Sequence, residues 1–348
     1  MRFSVIVPFH GDFCQLERCL TALASRPAGG EVVVVGDGAP AATAEVAAKH
    51  GVRIVEQTPK RGPAAARNLG ARSALGETLV FVDSDVVVSA TAVSQLLEVL
   101  DTCPQVAAVF GAYDEAPADP GFVSQYRNLA HSFVHQQANP NAQTFWAGLG
   151  AVRRSAFEDV GGFDERFDMP SVEDIDLGYR LRAGGYRIRL DHRIRGCHLK
   201  VWSVLSSIRI DVWNRGIPWT QLLLRSARLD NDLNLRAEYR LSVICAYLLA
   251  ISLIASLVWP AALFATVLLV NALLYLNASY YAWFVRQRGW WFAIRVFPLH
   301  LVHHLCNGVS FVWGSALFAM RRAGAITLPG ALPAAPWSRH DQSLARTL

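Results

Sequence analysis

The stretch Gly76-Glu-Thr-Leu-Val-Phe-Val-Asp83-Ser-Asp85 decides the fold. Its middle, Thr78 to Val82, is a short apolar run rich in β-branched residues, the pattern of a strand buried on both faces, and two carboxylates follow where the run stops. Working outward, similar runs occur at Phe3 to Val7, ended by Pro8, and at Glu31 to Val35, ended by Gly36-Asp37-Gly38. Further runs lie at Arg53 to Val55 and Val106 to Phe110. Helical spacing fills the intervals: Gln15 to Ser25, with Leu16, Leu20 and Leu23 on one side, then Ala41 to His50, Ala64 to Ala74 and Ala90 to Leu100. Strands alternating with helices imply an α/β domain whose mainly parallel sheet is covered on both faces. Such sheets bind ligands at the carboxyl ends of their strands, where Pro8-Phe9, Asp37 and Asp83-Ser-Asp85 fall.

Composition separates a head from a tail. The 348 residues are 52% hydrophobic and 18% charged, with a mean hydropathy of +0.24. A charged share below the usual value of about 25% excludes a disordered chain. No Asp, Glu, Lys or Arg occurs from Leu241 to Val285. Leu241 to Trp259 and Ala261 to Val285, separated by Pro260, are each long enough to cross a hydrocarbon core of about 30 Å. Arg236 and Arg240 before them, and Arg286 and Arg288 after them, place both flanks on the cytoplasmic side. Phe297 to Met320 is apolar as well, but it contains Pro298, three histidines (His300, His303, His304), Gly308 and Gly314, and Arg321-Arg322 follows. It reads as re-entrant, interfacial, or a span that breaks the charge rule. Val201 to Leu229 interleaves Trp202, Trp213 and Trp219 with Arg209, Arg215, Arg225 and Arg228, which suits amphipathic helices in the membrane interface or a packing helix of the head.

The expected division is an α/β domain over 1–200, interfacial helices over 201–235, transmembrane helices over 236–322 and a flexible tail over 323–348. Residues 116–141, rich in Pro, Asn, Gln and His, read as a loop or a helix. A net charge of +5 marks no nucleic-acid-binding face. The six cysteines form no Cys-x-x-Cys pair or metal-spaced cluster and read as free thiols of a reducing compartment. The N-terminus is too short and strand-like for a signal peptide, so the head is expected in the cytoplasm, beneath a multi-pass plasma (inner) membrane anchor.

Two carboxylates one residue apart at a strand end suit Mg²⁺ or Mn²⁺, hard cations that keep waters and take further ligands from a diphosphate. The segments around them stand in a fixed order: Ser4-Val-Ile-Val-Pro-Phe-His, Glu31-Val-Val-Val-Val-Gly-Asp-Gly, Gly62-Pro-Ala-Ala-Ala-Arg-Asn, the opening stretch itself, Arg153 to Phe167, and Glu173-Asp-Ile-Asp-Leu-Gly-Tyr-Arg-Leu-Arg. Together they resemble the family 2 glycosyltransferases, inverting enzymes with the GT-A nucleotide-sugar-binding fold, over roughly the first two hundred residues.

The resemblance implies roles for individual residues. Pro8, Phe9 and Asp37 would hold the donor's base, although Gly36 and Ala39 replace the acid and serine usual beside Asp37. Arg67 and Asn68 would brace the diphosphate or the metal carboxylates. Asp83 and Asp85 would bind the metal, with Asp83 also on the donor side, and His198 would be a further metal ligand. Lys200 would approach the diphosphate, and Gly148, in Trp146 to Ala151, would lie beside the donor sugar. Asp174 would be the catalytic base, with Glu173 the second choice and Asp176 a surface or capping acid. Processive members carry Gln-x-x-Arg-Trp on an interface helix. The corresponding region here, Asp211-Val-Trp-Asn-Arg215-Gly-Ile-Pro-Trp219, departs from it. The expected function is a membrane-anchored, metal-dependent inverting transfer from a nucleotide sugar, a UDP-sugar foremost, to a lipid-linked or membrane-associated acceptor such as a polyprenyl phosphate or glycolipid. A processive polysaccharide synthase and a non-catalytic nucleotide-sugar-binding scaffold are the alternatives.

Overall fold

A computed structural model describes residues 2–226 and 236–323. Arg228 and the tail from 324 onward lie outside the described residues. The strands are β1 (Phe3–Phe9), β2 (Gly30–Asp37), β3 (Arg53–Gln57), β4 (Thr78–Val82), β5 (Val86–Val88), β6 (Val106–Tyr113), β7 (Asn141–Ala142), β8 (Leu149–Arg153) and β9 (Arg187–His198). Among them run helices α1 (Phe13–Leu23), α2 (Ala42–Lys49), α3 (Pro63–Ser73), α4 (Ala92–Thr102), α5 (Phe122–Gln137), α6 (Arg154–Asp159) and α7 (Glu173–Ala183).

The sheet order is β3-β2-β1-β4-β8-β6-β9-β5, with β7 also on β9. β3, β2, β1 and β4 run parallel, as the alternation predicts. β8 reverses between β4 and β6, and the parallel pair β6–β9 restores the common direction. The sheet is therefore mixed but mostly parallel. Alternate residues of β1 face opposite layers: Val5 and Val7 meet Leu16, Leu20 and Leu96 from α1 and α4, while Ile6 meets Ala64 and Ala66 of α3. This two-sided burial is why the central strands read as unbroken apolar runs.

Residues 116–141 hold α5, a helix hidden from pattern reading because its buried side includes Ser124, Arg127, Asn128 and Ser132. Its apolar side does not close on the α/β domain alone.

The second half is helical. α8 (Val204–Arg209), a π-helical segment (Ile210–Gly216) and α9 (Ile217–Ser226) follow one another without a break. Ser203 opens α8 with a capping box to Ser206. α10 (Ala237–Ser256), α11 (Ala262–Leu276), α12 (Ala278–Arg288) and α13 (Trp290–Arg322) complete the chain.

Among the described residues one helix, α10, is long and apolar enough to cross a membrane, with a mean hydropathy of 1.7. The second expected span, Ala261 to Val285, is not one helix: α11 and α12 meet at Asn277 with a bend of 70°. Asn277 Nδ2 donates to the Leu273 carbonyl and to Ser242 Oγ, both 2.9 Å away. A polar side chain satisfying the end of α11 breaks the run, and an average over apolar residues does not register it. α11 and α12 would count as a second crossing only if taken together as one broken span. The 33 residues of α13, with Pro298 inside, do not qualify.

α12 and α13 cover α5. Phe122 meets Phe292 with ring centroids 4.9 Å apart, Tyr126 meets Phe284 at 5.8 Å, and Phe133 meets Tyr280 at 5.1 Å. The packing thus runs across the boundary expected at residue 200.

Candidate active site

β4 ends by aiming Asp83 and Asp85 away from the core, and both carboxylates are about three-tenths exposed. α3 enters beside them after Gly62. There φ is +90°, and a Cβ would lie 2.2 Å from the Asp168 carbonyl oxygen, so the turn requires glycine. Its consequence is Arg67, on the buried face of α3.

The Arg67 guanidinium donates through Nη2 to Asp83 Oδ1 (2.7 Å) and through Nη1 to Glu173 Oε1 (2.8 Å). Burial draws its pKa down, but the two acids outweigh this and fix the positive charge. One cation thereby ties the strand end at 83 to the start of α7. Burial pushes the Asp83 carboxyl upward, Arg67 opposes it, and Asp85 and Glu173 add to the push. Against the upward pull of burial, His198 and Lys200 hold Asp85 below the usual carboxylate range.

Asp174, half-buried on the first turn of α7, accepts from the Ala147 N–H at 3.3 Å. Burial, and next the charge of Glu173, push its pKa from 3.8 to about 7, with Arg67, the Ala147 N–H and Arg215 opposing. A carboxyl poised near neutrality can take up and release a proton at working pH. Burial, then Asp85 and Asp83, push the hydroxyl of Tyr113 on β6 well above 10, with Asp174 adding and Arg215 opposing. Asp83, Asp85, Asp174 and Arg215 therefore all act on the Tyr113 hydroxyl.

Several expected residues are engaged elsewhere. Asp37 is buried, and its carboxylate accepts from Gln57 Nε2 (2.6 Å), Arg61 N (2.7 Å) and Gly62 N (2.8 Å). It holds the 57–62 loop closed instead of standing open to a base. Asn68 grips Phe163, donating to its carbonyl at 2.8 Å and accepting from its N–H at 2.9 Å, so it staples α3 to the segment after the Gly161-Gly162 turn. Glu173 is buried, with Oε1 bound by Arg67 and Oε2 by the Ser171 N–H (2.9 Å), so both of its oxygens are engaged within the protein. Asp176 is buried, not on the surface, and pairs with Arg180 at 2.8 Å. Phe9 lies in the core against Phe13, leaving half-buried Pro8 as the exposed part of that strand end. Gly148 accepts from the Asp83 N–H at 3.2 Å, and a Cβ there would strike the Trp146 ring at 2.6 Å. Lys200 sits over the Trp202 ring at 4.4 Å.

The expected three-ligand set of Asp83, Asp85 and His198 is not a preformed cage: among the described residues no group of three or more His, Cys, Asp or Glu side chains has metal-holding geometry. His198 Nε2 stands 3.3 Å from Asp85 Oδ2. The donor chemistry nonetheless fits a hard divalent ion. Asp83 and Asp85 offer accessible oxygens whose mutual repulsion a cation relieves, and water and a diphosphate can supply the remaining positions.

Sequence reasoning missed the wall around these acids. Tyr113 stacks on His198 at 4.5 Å and meets Trp146 edge-on at 4.5 Å. His131 and His135 of α5 line the same side, kept neutral by burial and then by Arg215; His135 falls to about 3. Arg215 arrives from the π-helical segment and donates to His131 Nε2 at 3.3 Å. The only signal available was the density of aromatic and histidine residues in segments with no strand or motif character.

Residues 4–161 match the sequence family described as glycosyl transferase family 2. Three curated relatives agree. A pre-mycofactocin glycosyltransferase of Mycobacterium tuberculosis is 31% identical over 198 residues, covering 54% of this chain and 40% of the relative. A validoxylamine A glucosyltransferase of Streptomyces hygroscopicus subsp. limoneus is 28% identical, covering 52% and 48%. A poly-β-1,6-N-acetyl-D-glucosamine synthase of Staphylococcus epidermidis is 24% identical, covering 66% and 55%. The chain thus spans about half the length of these relatives. Among solved structures, a mannosyltransferase from Pyrobaculum calidifontis in complex with GDP-mannose and Mn²⁺ superposes with a TM-score of 0.54 at 19% identity, covering 90% of this chain and 87% of that one. The fold is GT-A-like, and the likeness extends into the C-terminal helices.

Proposed function

We propose that the protein is a glycosyltransferase that moves a sugar from a nucleotide sugar to an acceptor hydroxyl or phosphate by a single inverting displacement at a membrane surface. The observation that carries the reading is the bridge Asp83–Arg67–Glu173, with Asp174 beside it at a pKa of about 7. A scaffold that only bound nucleotide would have no use for a carboxyl held at neutrality. Relatives named as glycosyltransferases and a neighbour solved with GDP-mannose and Mn²⁺ support the donor class.

Where the acceptor is a hydroxyl, Asp174 takes its proton as that oxygen attacks the anomeric carbon from the face opposite the nucleotide, whereas an ionised phosphate attacks without giving up a proton. Glu173 keeps Arg67 in place, and Arg67 fixes the orientation of Asp83. Asp83 and Asp85, with His198 alongside, would hold Mg²⁺ or Mn²⁺. When bound, that ion would neutralise the charge of the departing diphosphate. The acceptor we favour is lipid-linked, because α10 is apolar enough to span a bilayer and Trp213, Trp290 and Trp291 stand exposed on neighbouring helices. Holding both reactants at one surface removes part of the entropic barrier to their meeting.

The test is nucleotide release and product mass spectrometry with the full chain in detergent, Mn²⁺, UDP- and GDP-sugars and membrane lipid extract. One sugar added to a lipid supports the reading. A polymer supports a synthase, and tight nucleotide binding without turnover of any donor defeats the enzymatic reading altogether.

A further inference from the structure

A buried network behind His198 determines which ring nitrogen carries its proton. Trp202 Nε1, which can only donate, gives its hydrogen to Asn128 Oδ1 at 3.2 Å, while Asn128 Nδ2 donates to the Lys200 carbonyl at 3.3 Å. Both contacts fix the amide's orientation, so Asn128 presents an oxygen to His198 Nδ1, 2.9 Å away. Nδ1 must therefore hold a hydrogen, which leaves Nε2, facing Asp85 Oδ2 at 3.3 Å, as the nitrogen that a cation can take. Tyr113, stacked at 4.5 Å with its ring 14° from parallel, holds the imidazole plane. Asn128, His198 and Trp202 are all buried.

The network continues into the C-terminal helix. Arg127 lies over the Trp202 ring at 4.9 Å and clamps Asp211 of the π-helical segment through Nη1 (2.8 Å) and Nη2 (2.5 Å). Asp211 Oδ2 also accepts from His303 Nδ1 of α13 at 2.8 Å, and His303 Nε2 accepts from Asn307 at 3.2 Å. Trp202 is thus held from the helical half of the chain as well as from α5.

We propose that Asn128 and Trp202 are positioning residues that lock His198 in the tautomer whose bare Nε2 can join Asp85 in holding a divalent cation, and that the Arg127–Asp211–His303 clamp anchors them to the C-terminal helix. The proposal rests on the reading of Asp83 and Asp85 as metal-holding. Groups that orient a ligating imidazole through its other nitrogen commonly contribute 10–100-fold to metal affinity.

The test is equilibrium binding of Mn²⁺ alone to the full-length protein in detergent, read by the electron paramagnetic resonance of free Mn²⁺. Asn128→Leu is expected to weaken binding by about 10–100-fold. Asn128→Asp, which keeps an acceptor for both Trp202 and His198, should stay within a few-fold of wild type. Trp202→Phe keeps the ring under Arg127 but removes the N–H, and should give an intermediate loss even where Asn128→Leu fails to fold. Asp83→Asn tests the underlying reading. If Asp83→Asn loses Mn²⁺ while Asn128→Leu or Trp202→Phe binds it as wild type does, the positioning role is wrong and the metal reading stands. If wild type takes up no Mn²⁺, or Asp83→Asn changes nothing, both fall together.

Discussion

Replacing Asp174 by asparagine should separate stability from activity. The native carboxyl titrates near pH 7 instead of 3.8, so folding disfavours its ionised form by up to about 4 kcal/mol, at 1.36 kcal/mol per unit. A carboxyl whose folded pKa is raised favours the native state fully at pH values below about 3.8, and that contribution is lost as the pH rises through about 7. Asparagine has nothing to ionise and still offers an oxygen to the Ala147 N–H. Asp174→Asn should therefore melt close to wild type at pH 4 and several degrees above it at pH 8. Turnover should fall by a factor on the order of 10²–10⁴ above pH 7, and the gap should narrow as the pH drops and the wild-type base becomes protonated. In the wild type, kcat/KM should climb about tenfold per pH unit below 7 and level off above it, because the base acts only when ionised. Tryptophan-fluorescence melts in detergent and a nucleotide-release assay across that pH range make the measurements. A melting difference of the same size at pH 4 and pH 8, or a variant that keeps its turnover, would refute the assignment.

Arg67→Met leaves Asp83 and Glu173 facing each other without a buried cation. It should lower stability by about 3–5 kcal/mol, seen as a drop in Tm and in denaturant midpoint, whether or not donor is present. Gly62→Ala forces a side chain against the Asp168 carbonyl at positive φ. It should open the loop that Asp37 closes and weaken nucleotide binding by calorimetry, and an unchanged Kd would contradict the role given to that turn. Gly308→Leu places a branched side chain where a Cβ already lies 2.2 Å from the Tyr247 ring, and should cost about 1–3 kcal/mol by parting α10 from α13. Removal of divalent ions with EDTA should stop nucleotide release, and Mn²⁺ should restore it; full activity in EDTA would exclude the metal reading.

β1, β2 and β4 were legible because they are buried on both faces, so their apolar runs need no partner to be recognised, whereas the three residues of β5 are too few to register as a run. β9 was not, since Arg-Ile-Arg-Leu-Asp-His-Arg-Ile-Arg buries Ile188, Leu190 and Ile194 between arginines that reach outward or pair with Asp191 and Glu115. α5 stayed ambiguous for a related reason: Arg127 and Asn128 are core residues only because Asp211 and His198 arrive from about eighty residues away to satisfy them. In the site, Asp83, Asp85, Arg67 and Asp174 could be singled out from their segments as candidates. The neutralisation of Glu173 by Arg67 and the closure of the loop by Asp37 could not, because both depend on which donors the folded chain delivers. The break at Asn277 escaped for the same reason, being set by Ser242 on another helix.

The aromatic seam between α5 and the pair α12–α13 bears on how the protein can be produced. A truncation ending near residue 200 would look like a tidy soluble enzyme on paper, yet it would strip Phe122, Tyr126 and Phe133 of their cover and leave Arg127 without Asp211. Such a fragment should be sticky and poorly folded along α5, so the C-terminal helices are better regarded as part of the folded unit than as an appendage to be cut away.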